Sequence, residues 1–326
     1  MSTQRFLIVL NPAATRSLPE RAREAFRQTF GQAHIDYTIY ETQPHEALDT
    51  VVQRAHQDGF SAVVAAGGDG TVSALARALV HTPMPLGIVP LGHGNLVARE
   101  LGIPLDTAAA CQVLCQAPAL IDLDVMQVDK QVFLSHISMG SYARLIANTP
   151  QQRKRRFGRL AYLWSIGYEL WRQETWPFVI TVDAQPHHIR ASLVMVANVA
   201  MAGPLNIRWG PHISPHDHVL DVCIVKAKSP LDYVRLMRQL SARSPVQSSI
   251  ITYLQARHDI VIEAPSAVPV RADGEVIGHT TVHIQMCPQT MTVLVPAKAA
   301  SPKDPGNASQ ERRQPDRIAR GCAARC

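Results

Sequence analysis

Ser61-Ala62-Val63-Val64-Ala65-Ala66-Gly67-Gly68-Asp69-Gly70-Thr71 is an apolar run that stops in three glycines around one carboxylate. The run predicts a buried strand, and the loss of side chains after Ala66 predicts a tight loop whose backbone N–H groups can approach a ligand closely. Thr71 is placed to cap a helix predicted over residues 72–80. A glycine loop at a helix N-terminus suits a phosphate, although the same pattern also serves as an ordinary strand-ending turn. Asp69 turns the reading toward chemistry. A carboxylate there repels a phosphate unless it holds Mg²⁺, a proton or a set of donors.

Upstream, residues 6–10 form a continuous apolar strand ending at Asn11-Pro12, followed by a helix over 19–30, a strand over 35–40 and a helix over 44–57. Downstream lies a strand over 86–89. Strands alternating with helices predict a parallel sheet covered on both faces. A second loop, Pro90-Leu91-Gly92-His93-Gly94-Asn95, again follows a strand and opens a helix over 96–101. In open α/β sheets ligands bind beyond the carboxyl ends of the strands, so Asn11, Gly67 to Thr71 and Gly92 to Asn95 are expected to converge on one crevice. Neither loop has the glycine order of a dinucleotide fingerprint or of a Walker loop.

With 326 residues, 46% hydrophobic and 18% charged, the chain has the composition of a soluble protein of about two domains. The net charge is +6, and residues 299–326 supply half of it through six cations against three acids. One short basic run elsewhere is no continuous nucleic-acid footprint. The six cysteines have neither zinc-ribbon spacing nor the density of a disulfide scaffold, which suits a reduced cytoplasm. No stretch approaches 18 apolar residues, so membrane contact is expected to be peripheral.

Beyond residue 122 the pattern changes to many short strands separated by Pro, Gly, Asn and Asp, over 131–136, 179–182, 191–199, 219–225, 260–263, 268–272, 281–286 and 291–295. These predict a β-rich sandwich, interrupted by helices over 158–173 and 230–240. The division expected is an α/β domain over 1–122, a β-rich domain over 123–298 whose last strand can return to the first domain, and a disordered basic tail over 299–326. Asp273-Gly274-Glu275 lies between two strands, where Asp-Gly is a hairpin-turn signal and also a way to present carboxylates.

Taken together, Asn11-Pro12, Gly67-Gly68-Asp69-Gly70-Thr71, Pro90-Leu91-Gly92-x-Gly94-Asn95, Ala98-Arg99-x-Leu101-Gly102-Ile103-Pro104, Asp122-Leu123 and Asp273-Gly274-Glu275 resemble the diacylglycerol kinase catalytic-domain family, with a more distant likeness to NAD kinases. The resemblance implies an ATP-dependent kinase acting on a lipid hydroxyl, most simply diacylglycerol or a related neutral lipid, in a cleft between a nucleotide domain and a β-rich domain. It implies that Asp273 is the general base, with Asp69 and Glu275 as further catalytic acids. It implies that Asn11, Gly67, Gly68, Asp69, Gly70, Thr71, Gly92, Gly94, Asn95 and Glu275 bind the nucleotide, and that Asp69, Asp122 and Asp217 serve Mg²⁺.

The departures from the family pattern are His93 for Thr, Leu96 for Asp, Ser73-Ala74 for Asn-Glu, and Gly140-Ser141-Tyr142-Ala143 for Gly-Phe-Asp-Ala. They keep open a non-catalytic nucleotide or lipid sensor, and a sphingoid-base or NAD kinase, as alternatives. Arg153, Lys154, Arg155 and Arg156 precede an aromatic amphipathic stretch and are expected either to meet an anionic bilayer at the inner membrane face or to form a solvated turn. A homodimer is left open. His212, His216 and His218 around Asp217 lack helical zinc-box spacing and read as a surface loop.

Overall fold

Runs of small and β-branched residues with no polar alternation become the inner strands of a sheet covered on both faces, because only there can every side chain be buried. In the computed structural model, which describes residues 4–13, 18–43, 47–140, 174–202, 207–241 and 248–297, three such runs are β1 (Arg5–Leu10), β3 (Ala62–Gly67) and β4 (Leu86–Pro90). β2 (Asp36–Glu41) is more exposed and lies at the sheet edge, parallel to β1, while β3 lies parallel to both β1 and β4.

The helices of this half are α1 (Leu18–Gln32), α2 (Asp49–Gln57), α3 (Asp69–Leu79), α4 (Leu96–Glu100) and α5 (Thr107–Cys115). Phe26 and Phe30 of α1 stack at 5.8 Å, and Phe30 meets Phe6 of β1 edge-on at 5.7 Å, so one aromatic cluster seals helix to sheet. Asp106 caps α5 by accepting from Ala109 N–H at 2.9 Å. Two predicted boundaries move. The helix expected from residue 72 begins at Asp69, so Gly68 is its N-cap and Thr71 falls inside the first turn. The helix expected from residue 44 begins at Asp49.

After β5 (Ala119–Leu123) the chain builds two further six-stranded sheets. One contains β6 (Met126–Val128), β7 (Gln131–Phe133), β9 (Trp176–Val182), β10 (Gln185–Ala191), β16 (Asp259–Glu263) and β19 (Val282–Met286). The other contains β8 (His136–Gly140), β11 (Leu193–Ala197), β14 (Leu220–Val225), β15 (Ile251–Ala256), β17 (Pro269–Ala272) and β18 (Glu275–His279). A short hairpin joins β12 (Met201–Ala202) to β13 (Ile207–Arg208).

Alternation decides which faces pack. Val194 and Val196 of β11 face the first of these sheets with Phe178, Ile180 and Ile262, whereas Leu193, Met195 and Ala197 face outward onto α6 (Pro230–Ser241), Trp209 and Ile213. The outer sheet is thus covered on both sides. The predicted strand at the end of the chain, β20 (Met291–Val295), leaves the sandwich and inserts between β4 and β5 of the first sheet. The expected basic segment 153–156, the helix 158–173 and the tail 299–326 lie outside the described residues. No helix among the described residues is long and apolar enough to cross a membrane.

Because Met291, Val293 and Val295 are 2%, 0% and 0% exposed, β20 contributes on the order of 5–9 kcal/mol of side-chain burial, comparable to the stability of a whole domain. A chain truncated after residue 290 is therefore expected to lose the native fold of the first domain. Cooperative unfolding with wild-type near-ultraviolet circular dichroism in the truncated chain would contradict this.

Candidate active site

The two glycine loops meet backbone to backbone. Leu91 N–H donates to Gly67 C=O at 2.8 Å, and a Cβ placed on Gly92 would lie 2.5 Å from the Cα of Gly68. On Gly94 it would lie 2.5 Å from Asp69 Oδ2, and on Gly67 it would collide with the Thr71 side chain. These glycines are required by packing within the protein. Gly70 differs, since a Cβ there would meet nothing within 4 Å, leaving open space beside the first turn of α3.

Several polar groups expected to reach a nucleotide instead hold the loops. Asn95, with φ of 49°, turns its amide back so that Gly92 N–H donates to Oδ1 at 3.0 Å and Nδ2 donates to Gly92 C=O at 2.7 Å. Asn11 donates through Nδ2 to Thr71 Oγ1 at 3.2 Å and accepts from Ala13 N–H at 2.9 Å. The Asp69 carboxylate accepts from Leu96 N–H at 2.5 Å at the start of α4. Burial pushes its pKa up, the α4 backbone N–H groups oppose that, and the nearby charge of Asp273 pushes it up further.

Asp273 comes from the other domain. The backbone takes φ of 46° at Asp273 and 92° at Gly274, two successive left-handed residues that turn β17 into β18. Its Oδ1 accepts from Ser135 N–H at 2.9 Å, Ser135 Oγ–H at 2.6 Å and His136 N–H at 3.3 Å. Its Oδ2 accepts from Leu134 N–H at 2.9 Å and from Ser73 Oγ–H of α3 at 2.8 Å. Ser73 stands where the family pattern has Asn, and it is the side chain that ties α3 to the acid. Glu275 is exposed and pairs at 3.5 Å with Arg77 of α3, whose guanidinium also lies 5.3 Å from the Phe133 ring centroid. At such exposure the pair contributes at most about 1 kcal/mol.

The predicted metal trio is corrected. Asp122 lies exposed on β5, where Thr292 Oγ–H donates to it at 2.7 Å, and exposed Asp217 accepts from Val219 N–H of its own turn at 3.1 Å. Each carboxylate is taken by a local donor on a different element, and among the described residues no three His, Cys, Asp or Glu side chains are grouped to hold a metal. Mg²⁺ does not need a protein cage; it keeps waters and binds through one or two carboxylates plus phosphate oxygens. Asp69, on the first turn of α3 next to exposed Gly70, fits that lesser demand.

The buried acids are others. Asp124, 1% exposed, accepts from His218 N–H at 2.8 Å and lies 2.8 Å from His218 Nδ1, while its C=O accepts from Asn198 Nδ2 at 2.8 Å. Asp221, fully buried, holds His212 Nε2 at 3.3 Å, and this carboxylate raises the pKa of His212. The histidine loop is thus anchored by two acids that sequence reading passed over. Asp124 follows directly on the strand residue Leu123, and alternation would place it on the face of exposed Leu120 and Asp122, so the strand pattern gave no signal of its burial.

His136 Nε2 is buried without a partner, and burial lowers the ring pKa to about 4. Between pH 6.5 and about 4 the unfolded chain then binds the proton that folded His136 refuses, so stability falls as pH drops through this window and is fully present above it. His136→Gln is expected to remove up to about 3 kcal/mol of that pH dependence. Urea titrations across the window check it; identical slopes in both proteins would sink it.

Residues 5–128 match the diacylglycerol kinase catalytic domain, and residues 135–295 match the YegS C-terminal NAD kinase beta sandwich-like domain. A Pseudomonas putida protein named "Probable lipid kinase YegS-like" is 30% identical over 261 residues, 78% of this chain and 84% of that one. A Mycobacterium tuberculosis protein named "Diacylglycerol kinase" is 28% identical over 249 residues, 73% and 78% of the two chains. A crystal structure of a diacylglycerol kinase from Bacillus anthracis has the same fold, with a TM-score of 0.72 at 21% identity over 92% of this chain and 99% of that one. With glycine loops, sandwich acid and both halves of the chain accounted for in order, the protein belongs to the diacylglycerol kinase catalytic-domain family of lipid kinases.

Proposed function

We propose that the chain transfers the γ-phosphoryl group of ATP to the hydroxyl of diacylglycerol or a related neutral lipid, between the glycine loops and the β-sandwich. The observation that carries this reading is the Asp273–Ser73 contact at 2.8 Å, which brings an acid of the second domain to the helix that follows Gly67 to Thr71. Phosphoryl transfer needs positioned phosphates, neutralised charge and an aligned hydroxyl more than covalent help.

In the first turn of α3 Thr71 N–H is bonded to Gly68 C=O at 3.0 Å, while Asp69 N–H and Gly70 N–H have no carbonyl partner within the helix, which favours an anion at this end. Mg²⁺, when bound, supplies neutralisation of phosphate charge, with Asp69 and then Glu275 as the acids that would hold it. Asp273 accepts the proton of the lipid hydroxyl as that oxygen bonds to phosphorus and the bond to the ADP oxygen breaks. Of its five donors, three are fixed backbone N–H groups and two are hydroxyls, Ser73 and Ser135, that can rotate away to free a lone pair. The saturation of Asp273 and the loss of an acid at Leu96 support the second reading, a sensor that binds nucleotide without turnover.

Labelled γ-phosphate from ATP and Mg²⁺ is expected to appear in diacylglycerol presented in mixed micelles, with sphingoid base, ceramide, monoacylglycerol and NAD as parallel acceptors. Asp273→Asn is expected to lower the rate at least about 100-fold, the scale of a general base. Asp69→Asn is expected to lower it as well without lowering the thermal midpoint at pH 7. The raised pKa means that ionised Asp69 costs stability as pH rises through its folded value, and the amide still accepts from Leu96 N–H. ATP binding with no labelled acceptor of any kind would favour the sensor.

A further inference from the structure

α6 carries apolar side chains on both of its faces. Leu236 and Leu240 are buried against the outer sheet, as the amphipathic pattern requires. Leu231, Val234 and Met237 point the other way and are 55%, 54% and 44% exposed. They follow one another at three-residue spacing and so form a continuous stripe along the helix. At 100° per residue Arg238 falls between Val234 and Leu231 around the helix, and Arg235 falls just beside Leu231. Both arginines are exposed, and exposed Lys228 stands just before the helix. Asp232 is the one acid on α6. Its carboxylate accepts from Lys228 N–H at 3.0 Å and pairs with Arg235 at 3.6 Å, so it offsets Arg235 in part, and α6 supplies no acid against Arg238 or Lys228.

We propose that this face of α6 is a docking surface for an anionic lipid bilayer. Leucine, valine and methionine enter the boundary between headgroups and acyl chains, while arginines at the same level meet lipid phosphates. A second copy of the chain is a poorer occupant. A two-fold pairing of this face would bring two arginine-bearing stripes together, with Asp232 already engaged on its own helix. The biological use of the surface rests on the lipid-kinase reading, since a substrate confined to a bilayer requires the enzyme to sit there. The surface itself is tested without turnover.

The test is co-sedimentation of the full chain, without ATP, with vesicles of phosphatidylcholine alone or of phosphatidylcholine mixed with phosphatidylglycerol. Wild type is expected to pellet with the mixed vesicles and not with phosphatidylcholine alone. Arg235→Glu with Arg238→Glu, and separately Leu231→Ser with Val234→Ser and Met237→Ser, are each expected to weaken that partition on the order of tenfold or more. Thermal midpoints within a few degrees of wild type show that both variants are folded. Phosphorylation of a detergent-dispersed short-chain substrate is expected to persist in both variants while phosphorylation of vesicle-embedded substrate falls. Variants that pellet like wild type would overturn the proposal, as would indifference of wild type to the anionic lipid. A wild-type dimer in light scattering that the serine variant dissociates would assign the face to a second copy. Intact vesicle binding with no labelled lipid would reject the kinase reading and leave the docking surface standing.

Discussion

The Asp273 carboxylate accepts four hydrogen bonds from residues 134–136 and one from Ser73, so one side chain holds the sandwich to itself and to the first domain. Hydrogen bonds to a charged group are each worth about 1.5–3 kcal/mol net, and each of these donors loses its partner if the acid moves. The turn that presents Asp273 is a hairpin with two left-handed residues, which Asp and Gly adopt at low cost. The hairpin reading and the catalytic reading of Asp273-Gly274 therefore describe one feature. The turn fixes where the carboxylate is, and the donors fix which way it points.

In the first domain the same economy holds. Gly92 and Gly68 touch through their backbones, Asn95 is spent closing its own loop, and Asp69 joins the start of α3 to the start of α4. The backbone N–H groups of Asp69 and Gly70 remain without a carbonyl partner at the first turn of α3, and exposed His93 lies in the second loop. Recognition of a phosphate here would fall to main-chain donors, whose positions cannot drift as side chains do. Asn11, Asn95 and Asp69 tie the loops together from within.

His136, Asp221 and Gln255 of the outer sheet lie in register across its strands, with Ala197 between His136 and Asp221. His212 covers Asp221, and His218 covers Asp124 where the chain crosses between domains. Buried carboxylates without such partners would be expensive, so the histidine loop acts as a lid on charge. Its polar composition is the consequence of two acids it must satisfy.

The alternation of strands and helices, the two glycine loops and the change to short strands after residue 122 were legible in the sequence, because backbone geometry and side-chain burial act over a few residues. The ordered motifs also carried the family. Ser73 as the partner of Asp273 was not legible, since 200 residues separate them and serine has no pattern that marks a contact. Nor was the inward turn of Asn95, or the choice of Asp124 over Asp122 as the buried acid, because two acids two residues apart look alike until the sheet edge exposes one of them. The same holds for the outward stripe on α6. Its sequence reads as a helix over 230–240 with apolar residues on more than one face, and only the sheet beneath it decided that Leu236 and Leu240 would be covered and that Leu231, Val234 and Met237 would be left to face outward. Local chemistry determined the elements and the loops; burial, which depends on everything that packs around a residue, decided which of their side chains would meet.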